Sequence, residues 1–321
     1  MAAVEQELLE AGRRGDEAAF ADLVAPYRRE LHAHCFRMLG SVQDAEDALQ
    51  EALLGAWRGL GGFEGRSSLR AWLYRIATHA CLRLLAQRPK RLLSADYGPA
   101  FAPGDDLGGP VAGPVWLEPY PDPPDATYEQ RESVELAFVA ALQHLPPTQR
   151  AVLILREVLG YSAAEVAESL DTTVASVNSA LQRARKTVDE RVPARSQQAT
   201  LRVLGEEGQR ELVEALVTAW ANADVAAILG MLARDARFTM PPLAAWLEGR
   251  DDIGVFLAER VFATPWRLVP VRAAGQLAFA CYQGDAEGGF ALGALNVLTL
   301  SDGEITEITA FLDPEVCSRF V

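Results

Sequence analysis

Residues 160–190 carry the side chains that a DNA-reading helix pair needs. Ser162 can cap a short helix, residues 171–173 (Asp-Thr-Thr) can form a turn, and a second helix can follow through Val188. This is helix-turn-helix spacing. Hydroxyl groups near the start of the second helix, with Arg and Lys further along, are the groups that reach base edges and phosphates in a major groove.

The second of these helices has one apolar stripe. Its members recur at intervals of three and four residues: Val174, Val177, Leu181, Ala184 and Val188. The polar residues on the other faces are Ser176, Ser179, Gln182, Arg183 and Lys186. An amphipathic helix of an ordinary bundle has the same periodicity, so the pattern alone leaves both interpretations open.

A second candidate surface lies between Ser67 and Arg91. This segment combines Trp72 and Tyr74 with several Arg and Lys residues and contains no acidic residue. Aromatic faces stack on unpaired bases while cations follow the phosphates, so such a helix suits single-stranded nucleic acid. For either aromatic residue taken alone, a place in the core is the interpretation we favour.

An acidic helix precedes this basic segment. In residues 44–51 (Asp-Ala-Glu-Asp-Ala-Leu-Gln-Glu) the acids at positions 44, 47 and 51 fall on one helical face. Such a face is either plain solvated surface or a dock for a basic partner. The pattern by itself does not decide between them.

The charge distribution limits where DNA could bind. The chain has 321 residues and a net charge of −14, but residues 1–92 carry a net +1 while residues 206–321 carry −9. Any contact with DNA must therefore come from local basic faces of the helical segments. Amphipathic periodicity predicts two such helical domains, at 1–92 and 128–192.

The segment between these domains reads as a linker. Residues 93–127 contain eight prolines, several glycines, six acids and no base. Treated as a flexible coil, 35 residues span about 33 Å root-mean-square. The sequence therefore predicts two helical domains that act on well-separated targets.

A third domain, 206–321, follows a basic connector at 193–205. Helical patterns cover roughly 206–232. Strand patterns follow at 236–240, 277–282, 291–300 and 305–311. This order predicts an α+β domain with helices first and then an antiparallel sheet.

Several function classes are not supported by the sequence. We find no apolar run long enough to span a membrane and no secretory signal in the acidic first ten residues. The four cysteines form no CxxC pair, and His32, His34 and Cys35 are spaced so that they point to different sides of a helix. We therefore expect no metal, no cofactor and a cytoplasmic location.

Four motifs in order resemble bacterial RNA polymerase sigma factors of the extracytoplasmic-function (ECF) type. They are the acidic run at 44–51 with Ala-Trp-Arg at 56–58, Leu-Arg-Ala-Trp-Leu-Tyr-Arg-Ile-Ala at 69–77, Leu-Pro-Pro-Thr-Gln-Arg-Ala-Val-Leu at 145–153, and Gly-Tyr-Ser-Ala-Ala-Glu-Val-Ala at 160–167 with the helix at 174–186. The resemblance covers residues 1–192. It implies a transcription initiation factor that binds core RNA polymerase and promoter DNA and is not an enzyme.

The resemblance also implies roles for individual residues. Polymerase binding falls to Asp44, Asp47, Gln50 and Glu51 of sigma region 2. Recognition and melting of the single-stranded −10 element fall to Arg70, Trp72, Tyr74, Arg75 and Arg83. Recognition of the double-stranded −35 element by sigma region 4 falls to Thr173, Ser176, Asn178, Ser179, Gln182, Arg183 and Lys186.

The third domain resembles SnoaL-like domains, the curved α+β cone shared with polyketide cyclases and ketosteroid isomerases. A cone of this kind implies a candidate ligand pocket lined by Phe238, Met240, Trp246, Trp266 and Tyr282. An ordinary core would contain the same aromatic residues, and this is the interpretation we favour. As an alternative to a sigma factor, the chain would be a SnoaL-like enzyme or small-molecule sensor with an attached DNA-binding module, using Asp235, Asp285 or Asp313 as acid or base. We favour a regulatory domain that contacts the sigma domains.

Overall fold

The computed structural model describes residues 2–88, 91–111, 116–122, 131, 133–193 and 195–321. It forms two compact units: Met1–Lys90 with Ala141–Arg191, and Arg91–Ala140 with Val192–Val321. The first predicted helical domain and most of the second thus lie in one unit. Residues 133–140 of the second lie in the other unit, with the predicted linker and the C-terminal domain. The predicted start of the second helical domain, residue 128, is outside the described residues.

Unit 1 is helical wherever it is described. Its helices are α1 (Ala2–Arg13), α2 (Glu17–Val24), α3 (Arg28–Leu39), α4 (Val42–Gly59), α5 (Leu69–Leu85), α8 (Pro147–Leu153), α9 (Ala163–Ser169) and α10 (Val174–Asp189). A π-helical segment, Ile154–Val158, continues α8. Between α5 and α8 the described residues contain two further helices, α6 (Ser94–Tyr97) and α7 (Leu136–Gln143).

Hydroxyl caps fix where the functional helices begin. Ser41 accepts a hydrogen bond from the Asp44 backbone N–H at the start of α4, and Ser68 accepts from Ala71 N at the start of α5. Each cap satisfies a backbone donor that has no partner within the helix. At the start of α9, Ser162 and Glu165 form a reciprocal capping box.

Unit 2 contains the α+β domain predicted from the sequence. The connector predicted at 193–205 is wrong from Gln197 onward, because Ser196 caps a helix that begins there. The helices of this part of unit 2 are α11 (Gln197–Ala221), α12 (Val225–Met231), α13 (Arg250–Glu259) and α14 (Pro314–Cys317). Its strands are β1 (Leu232–Thr239), β2 (Trp246–Glu248), β3 (Trp266–Ala273), β4 (Gln276–Gly284), β5 (Phe290–Ser301) and β6 (Glu304–Phe311). Gly205 adopts φ +74° and ψ 170°, which breaks α11 into two segments.

Within the described residues the six strands form one sheet in the order β2-β1-β6-β5-β4-β3. The sheet is not wholly antiparallel as predicted, because β1 pairs with β6 in parallel. The sequence patterns found β1, β4, β5 and β6 but missed β2 and β3. β2 has three residues, and β3 is an edge strand whose Pro270 and exposed Arg267 and Arg272 hide its alternation.

One face of this sheet builds the core of unit 2. Phe238, Phe279 and Leu298 from three strands belong to a buried cluster that also contains Trp220 of α11 and Ile253 of α13. None of the helices in the described ranges combines the length and apolar composition that a membrane span requires.

The segment predicted as a flexible linker is bound to the C-terminal domain at several of its described residues. The Trp246 indole N–H donates to the Gly98 carbonyl oxygen at 2.8 Å, and Phe101 N donates to the Trp246 carbonyl at 2.8 Å. Further along, Ala274 N donates to the Tyr120 carbonyl at 2.7 Å. The coil prediction rested on proline, glycine and charge, and it gave no weight to Trp116, Leu117 and Tyr120, which are all buried.

Candidate nucleic-acid interface

Helix α10 begins with a hydroxyl pair. Thr173 is its N-cap and accepts a hydrogen bond from Ser176 N at 3.1 Å. The hydroxyl oxygens of the two residues are 2.9 Å apart and hydrogen-bonded to each other. These groups fix the start of α10. Both hydroxyls lie at an exposed helix end, where they can form further hydrogen bonds.

The two faces of α10 separate by burial. Val177, Ala180, Leu181 and Ala184 are buried. All the residues assigned to the −35 element are exposed: Thr173, Ser176, Asn178, Ser179, Gln182, Arg183 and Lys186. The helix therefore packs through one stripe and presents its polar faces to solvent.

The predicted apolar stripe of α10 is wrong at its first position. Val174, the first residue of the helix, is 44% exposed. A contact that the sequence did not reveal holds the other end. Arg185 Nε donates to Glu157 Oε1 at 2.6 Å and ties α10 to the π-helical segment.

The residues assigned to the −10 element occupy different environments along α5. Arg83 is exposed and pairs with Glu51 at 3.1 Å, while Trp72 is half-buried against the Phe63 ring at 5.0 Å between centroids. Tyr74 is only 1% exposed. Tyr74 thus lies in the core, which is the alternative to base stacking given in the sequence analysis. In this conformation its ring is not available for stacking on a base.

Arg70 is held by a carboxylate of α3. Its Nε and Nη2 atoms donate to the two oxygens of Glu30 at 2.9 and 2.8 Å, and its guanidinium carbon lies 4.7 Å from the centre of the Tyr74 ring. The hydrogen bonds to Glu30 raise the pKa of Arg70. Burial, and then the negative charge of Glu30, raise the pKa of the Tyr74 phenol, which therefore stays neutral.

Residues of the predicted helix-turn-helix contact α5. Arg75 Nη2 lies 3.0 Å from Asp171 Oδ1, and His79 Nε2 lies 2.9 Å from the Ser169 carbonyl oxygen. The Tyr161 ring packs edge-on against Tyr74, 6.0 Å between centroids. The predicted −10 surface is thus in contact with the helix-turn-helix in this structure.

The acidic face of α4 is divided. Asp47, Gln50 and Glu51 are exposed, but Asp44 is 2% exposed and forms an ion pair with Arg88. The expectation that Asp44 belongs to the docking face is therefore corrected: its carboxylate is covered. Its partner is 44 residues away in the sequence, so helical spacing on α4 did not reveal the pair.

Next to Gln50 lies a groove that sequence reasoning missed. It has a volume of about 480 Å³ and is open to solvent. Its lining comes from α2, the start of α3 and α4: Glu17, Phe20, Arg28, Gln50, Leu53, Leu54 and Trp57. Phe20 and Trp57 pack 5.1 Å apart at its wall, and Leu54 is 54% exposed. Leu54 was the available signal, because it is a large apolar residue outside the stripe that contains Leu49, Leu53 and Ala56.

The five residues of the candidate ligand pocket do not share one face of the sheet. Phe238, Met240 and Trp266 pack in or against the core of unit 2. On β2, Trp246 lies opposite Thr239 of β1, so its side chain is on the other face of the sheet from Phe238. Its indole N–H donates to the Gly98 carbonyl oxygen. Tyr282 follows the core residue Cys281 on β4, so its side chain is on the face of the sheet away from the core. Which residues share a face of the sheet depends on how the strands pair, and the sequence did not reveal that pairing.

Two of the three candidate aspartates serve local structure. Asp285 accepts hydrogen bonds from Glu287 N and Gly289 N at 2.9 and 2.8 Å, and Asp313 caps α14 by accepting from Glu315 N at 2.9 Å. Asp235 lies exposed on β1. Two of the three carboxylates are therefore occupied by backbone donors of turns and caps.

Three family models match successive parts of the chain. They are sigma-70 region 2 at residues 23–91, sigma-70 region 4 at 135–188 and the SnoaL-like domain at 213–308. Their order is the order predicted from the sequence.

Known proteins match over different lengths. The ECF RNA polymerase sigma factor SigG of Mycobacterium tuberculosis is 40% identical over 96% of this chain and 84% of its own. The RNA polymerase sigma-H factor of Pseudomonas aeruginosa is 32% identical over 58% of this chain and 92% of its own. The crystal structure of the M. tuberculosis extracytoplasmic-function sigma factor SigJ superimposes with a TM-score of 0.60 at 21% identity, over 92% of this chain and 98% of that one, and shows the shared fold. With its two sigma regions, its α+β domain and a 40% identical relative along nearly its whole length, the chain belongs to the ECF RNA polymerase sigma factors.

Proposed function

We propose that the chain directs core RNA polymerase to promoters through two DNA-binding surfaces, α10 for the double-stranded −35 element and α5 for the single-stranded −10 element. The observation that carries the proposal is the division of α10 into a buried apolar stripe and an exposed face with Gln182, Arg183 and Lys186. Base edges in a major groove are read by side chains of these types from an exposed helix.

The polymerase-binding surface is the groove of α2 and α4 together with Asp47, Gln50 and Glu51. An exposed leucine beside a paired phenylalanine and tryptophan suits the apolar centre of a protein interface, and the adjacent carboxylates suit its polar rim. Asp44 has a different task, because its ion pair with Arg88 joins α4 to the segment after α5. The relatives' names, RNA polymerase sigma factors, agree with a polymerase partner.

In vitro transcription with core enzyme tests this function. Promoter-specific initiation should require the chain, and Arg183→Ala should lower it while binding to the polymerase stays unchanged. Arg14→Ala removes an exposed cation from another surface and serves as the matched control. Loss of polymerase affinity in Arg183→Ala would show that the faces are wrongly assigned.

We also propose that the SnoaL-like domain is regulatory rather than enzymatic and acts by holding the 91–122 segment. Gly98 and Phe101 bind Trp246, and Val111 N donates to the Pro242 carbonyl at 2.9 Å. At the other end, Gly275 N donates to Asp122 Oδ1 at 2.8 Å. Because both ends of the segment are held, it samples fewer conformations than a free tether between the two promoter-binding regions would.

A pair of tryptophan variants tests the regulatory role. Trp246→Phe removes the indole N–H that holds Gly98, whereas Trp266→Phe removes an equivalent bond to the Val261 carbonyl within the domain itself. Trp246→Phe should speed proteolysis near residues 98–111 and change transcription output, and Trp266→Phe should do neither. If proteolysis speeds up and transcription stays the same, the segment is not regulatory.

A further inference from the structure

We propose that the interior of the SnoaL-like domain binds a small, uncharged and mostly apolar molecule through two polar groups, the Trp220 indole N–H and the Asn296 side-chain carbonyl. The inference goes beyond the functions proposed above, because it stands whether or not this domain regulates transcription. The chemical class of the ligand follows from these two groups and from the side chains around them.

Asn296 is a polar residue inside an apolar core. On β5 it pairs with Phe279 of β4 and with Ala310 of β6, and both of these belong to the core cluster. Its side chain therefore lies on the same inner face of the sheet. The residue is 4% exposed, and its Oδ1 atom has no hydrogen-bond partner among the described residues. An unpaired buried acceptor costs free energy, so stability alone would favour an apolar residue here.

Trp220 supplies a complementary group from the helix layer. It lies on α11, which packs against β3 and β5, and it is 3% exposed. Its ring stands edge-on to Phe262, with 5.6 Å between centroids, and its Nε1 atom also has no partner in the described part of the chain. The indole of Trp266, in contrast, donates to the Val261 carbonyl at 2.8 Å. Because the Trp220 donor and the Asn296 acceptor do not bond to each other, a third group is needed to satisfy both.

Most of the side chains next to Asn296 on the inner face are short. Ala310 is its neighbour on β6, Ala294 lies two residues before it on β5, and Cys281 of β4 pairs with Ala294. All three are buried in the core cluster. The remaining neighbour, Phe279, is large and apolar. Alanine and cysteine project little from a sheet, so we infer that the polar end of a ligand reaches the amide over them and that its apolar body packs on the phenylalanine ring.

The chemistry of the core limits the ligand. Among the described residues, the core cluster contains no charged side chain, so a charged ligand would lose its hydration without gaining a counter-charge. The indole N–H can only donate, and the amide carbonyl oxygen can only accept. A matching molecule therefore has an acceptor for Trp220 and a donor for Asn296 on an apolar body. A hydroxyketone carries both groups.

The indole N–H signals of the ¹⁵N-labelled full-length protein report binding directly. The chain has six tryptophans, and the signal that is missing from the spectrum of Trp220→Phe belongs to Trp220. Titration with para-hydroxyacetophenone at slightly acidic pH, where its phenol is neutral, should shift this signal downfield until it saturates. The para-methoxy analogue keeps the ketone but has no donor, and it should bind about fivefold more weakly.

A matched pair of asparagine variants separates a ligand site from a structural role. Asn296→Leu replaces the unpaired amide by an apolar side chain of similar size. It should raise the melting temperature of the free protein and weaken binding of para-hydroxyacetophenone about fivefold or more. Asn222→Leu changes an exposed asparagine of the same domain and should leave binding unchanged.

A pair of tryptophan variants tests the donor. Trp220→Phe and Trp266→Phe remove the same volume, but only Trp266 loses a hydrogen bond that the folded chain already makes. Trp266→Phe should therefore lower the melting temperature of the free protein more than Trp220→Phe does. Trp220→Phe should weaken binding of para-hydroxyacetophenone about fivefold.

Three results would overturn the proposal. The first is a Trp220 signal that does not shift at any concentration of para-hydroxyacetophenone up to its solubility. The second is binding to Asn296→Leu as tight as to Asn222→Leu. The third is a lower melting temperature of free Asn296→Leu, which would show that the amide is already paired in solution, for example with a buried water. None of these results changes the polymerase and promoter roles proposed above.

Discussion

Helices α5 and α10 begin in the same way but differ in how far their polar side chains are exposed to solvent. Each starts at a hydroxyl N-cap, Ser68 or Thr173, and each carries cations along its length. The polar face of α10 is exposed, whereas Arg70 and Arg75 of α5 are paired with Glu30 and Asp171. The comparison shows that composition identifies a nucleic-acid surface but does not tell whether the folded chain leaves it open.

The difference follows from what each helix packs against. α10 buries only one stripe, through Val177 and Leu181. α5 packs against both α3 and α4, and region 4 contacts it as well. A helix with neighbours on several sides uses its aromatic and charged side chains within the fold.

Tyr74→Ala should give the largest effect on stability. Removing a buried aromatic side chain should lower the free energy of unfolding of unit 1 by about 3–5 kcal/mol. Gln182→Ala on the exposed face of α10 should change it by less than about 0.5 kcal/mol. Urea denaturation followed by circular dichroism measures both, and equal stabilities would remove the contrast between the two helices.

Arg183→Ala should have the next largest effect, on binding alone. Loss of one good base contact should weaken binding to double-stranded −35 DNA by about 1–3 kcal/mol. Because the side chain is exposed, the free energy of unfolding should not change. Electrophoretic mobility shift with the polymerase-bound factor measures the loss, and a stability loss instead would place Arg183 in the packing of region 4.

Leu54→Ala tests the groove beside the acidic face. If the groove is the apolar centre of the polymerase interface, affinity for core polymerase should fall by about 1 kcal/mol or more. The side chain is 54% exposed, so folding should be nearly unaffected. Surface-immobilised polymerase gives the affinity, with exposed Val203 in unit 2, changed to Ala, as the matched control.

The effect that is smallest at neutral pH, because it develops only on acidification, is a pH dependence beneath α5. Burial, and then the charges of Arg37 and Arg70, lower the pKa of His34 to about 3, and its Nε2 lies 2.9 Å from Thr78 Oγ1. Between pH 6.5 and 3 the unfolded chain binds the proton that the folded chain refuses, so stability of unit 1 should fall as pH drops through this range. In His34→Asn this contribution should be absent from the melting temperatures, and identical pH profiles would contradict it.

Local signals predicted much of the fold. The serines before α5 and α9 cap them as expected, and the apolar stripe located α10 between Thr173 and Asp189. Alternating patterns located four of the strands in the sheet. These features depend on residues within one or two turns of each other, which a sequence displays directly.

Features set by distant partners were not predictable in the same way. Asp44 has the spacing of a surface acid, yet it is buried and forms an ion pair with Arg88. The proline-rich segment has the composition of a coil, yet Trp116 and Tyr120 pack it with the C-terminal domain. Tyr74 has the type of a stacking residue, and only the three-dimensional fold brings Tyr161 to its ring.

Footprinting on one promoter with core polymerase tests the two-surface account most directly. Nuclease protection reports the −35 element, and permanganate reactivity of unpaired thymines reports opening at −10. We predict that Arg183→Ala loses protection at −35, whereas Arg75→Ala keeps that protection and loses strand opening. Loss of both signals in either variant alone, or of neither in both, would contradict the account.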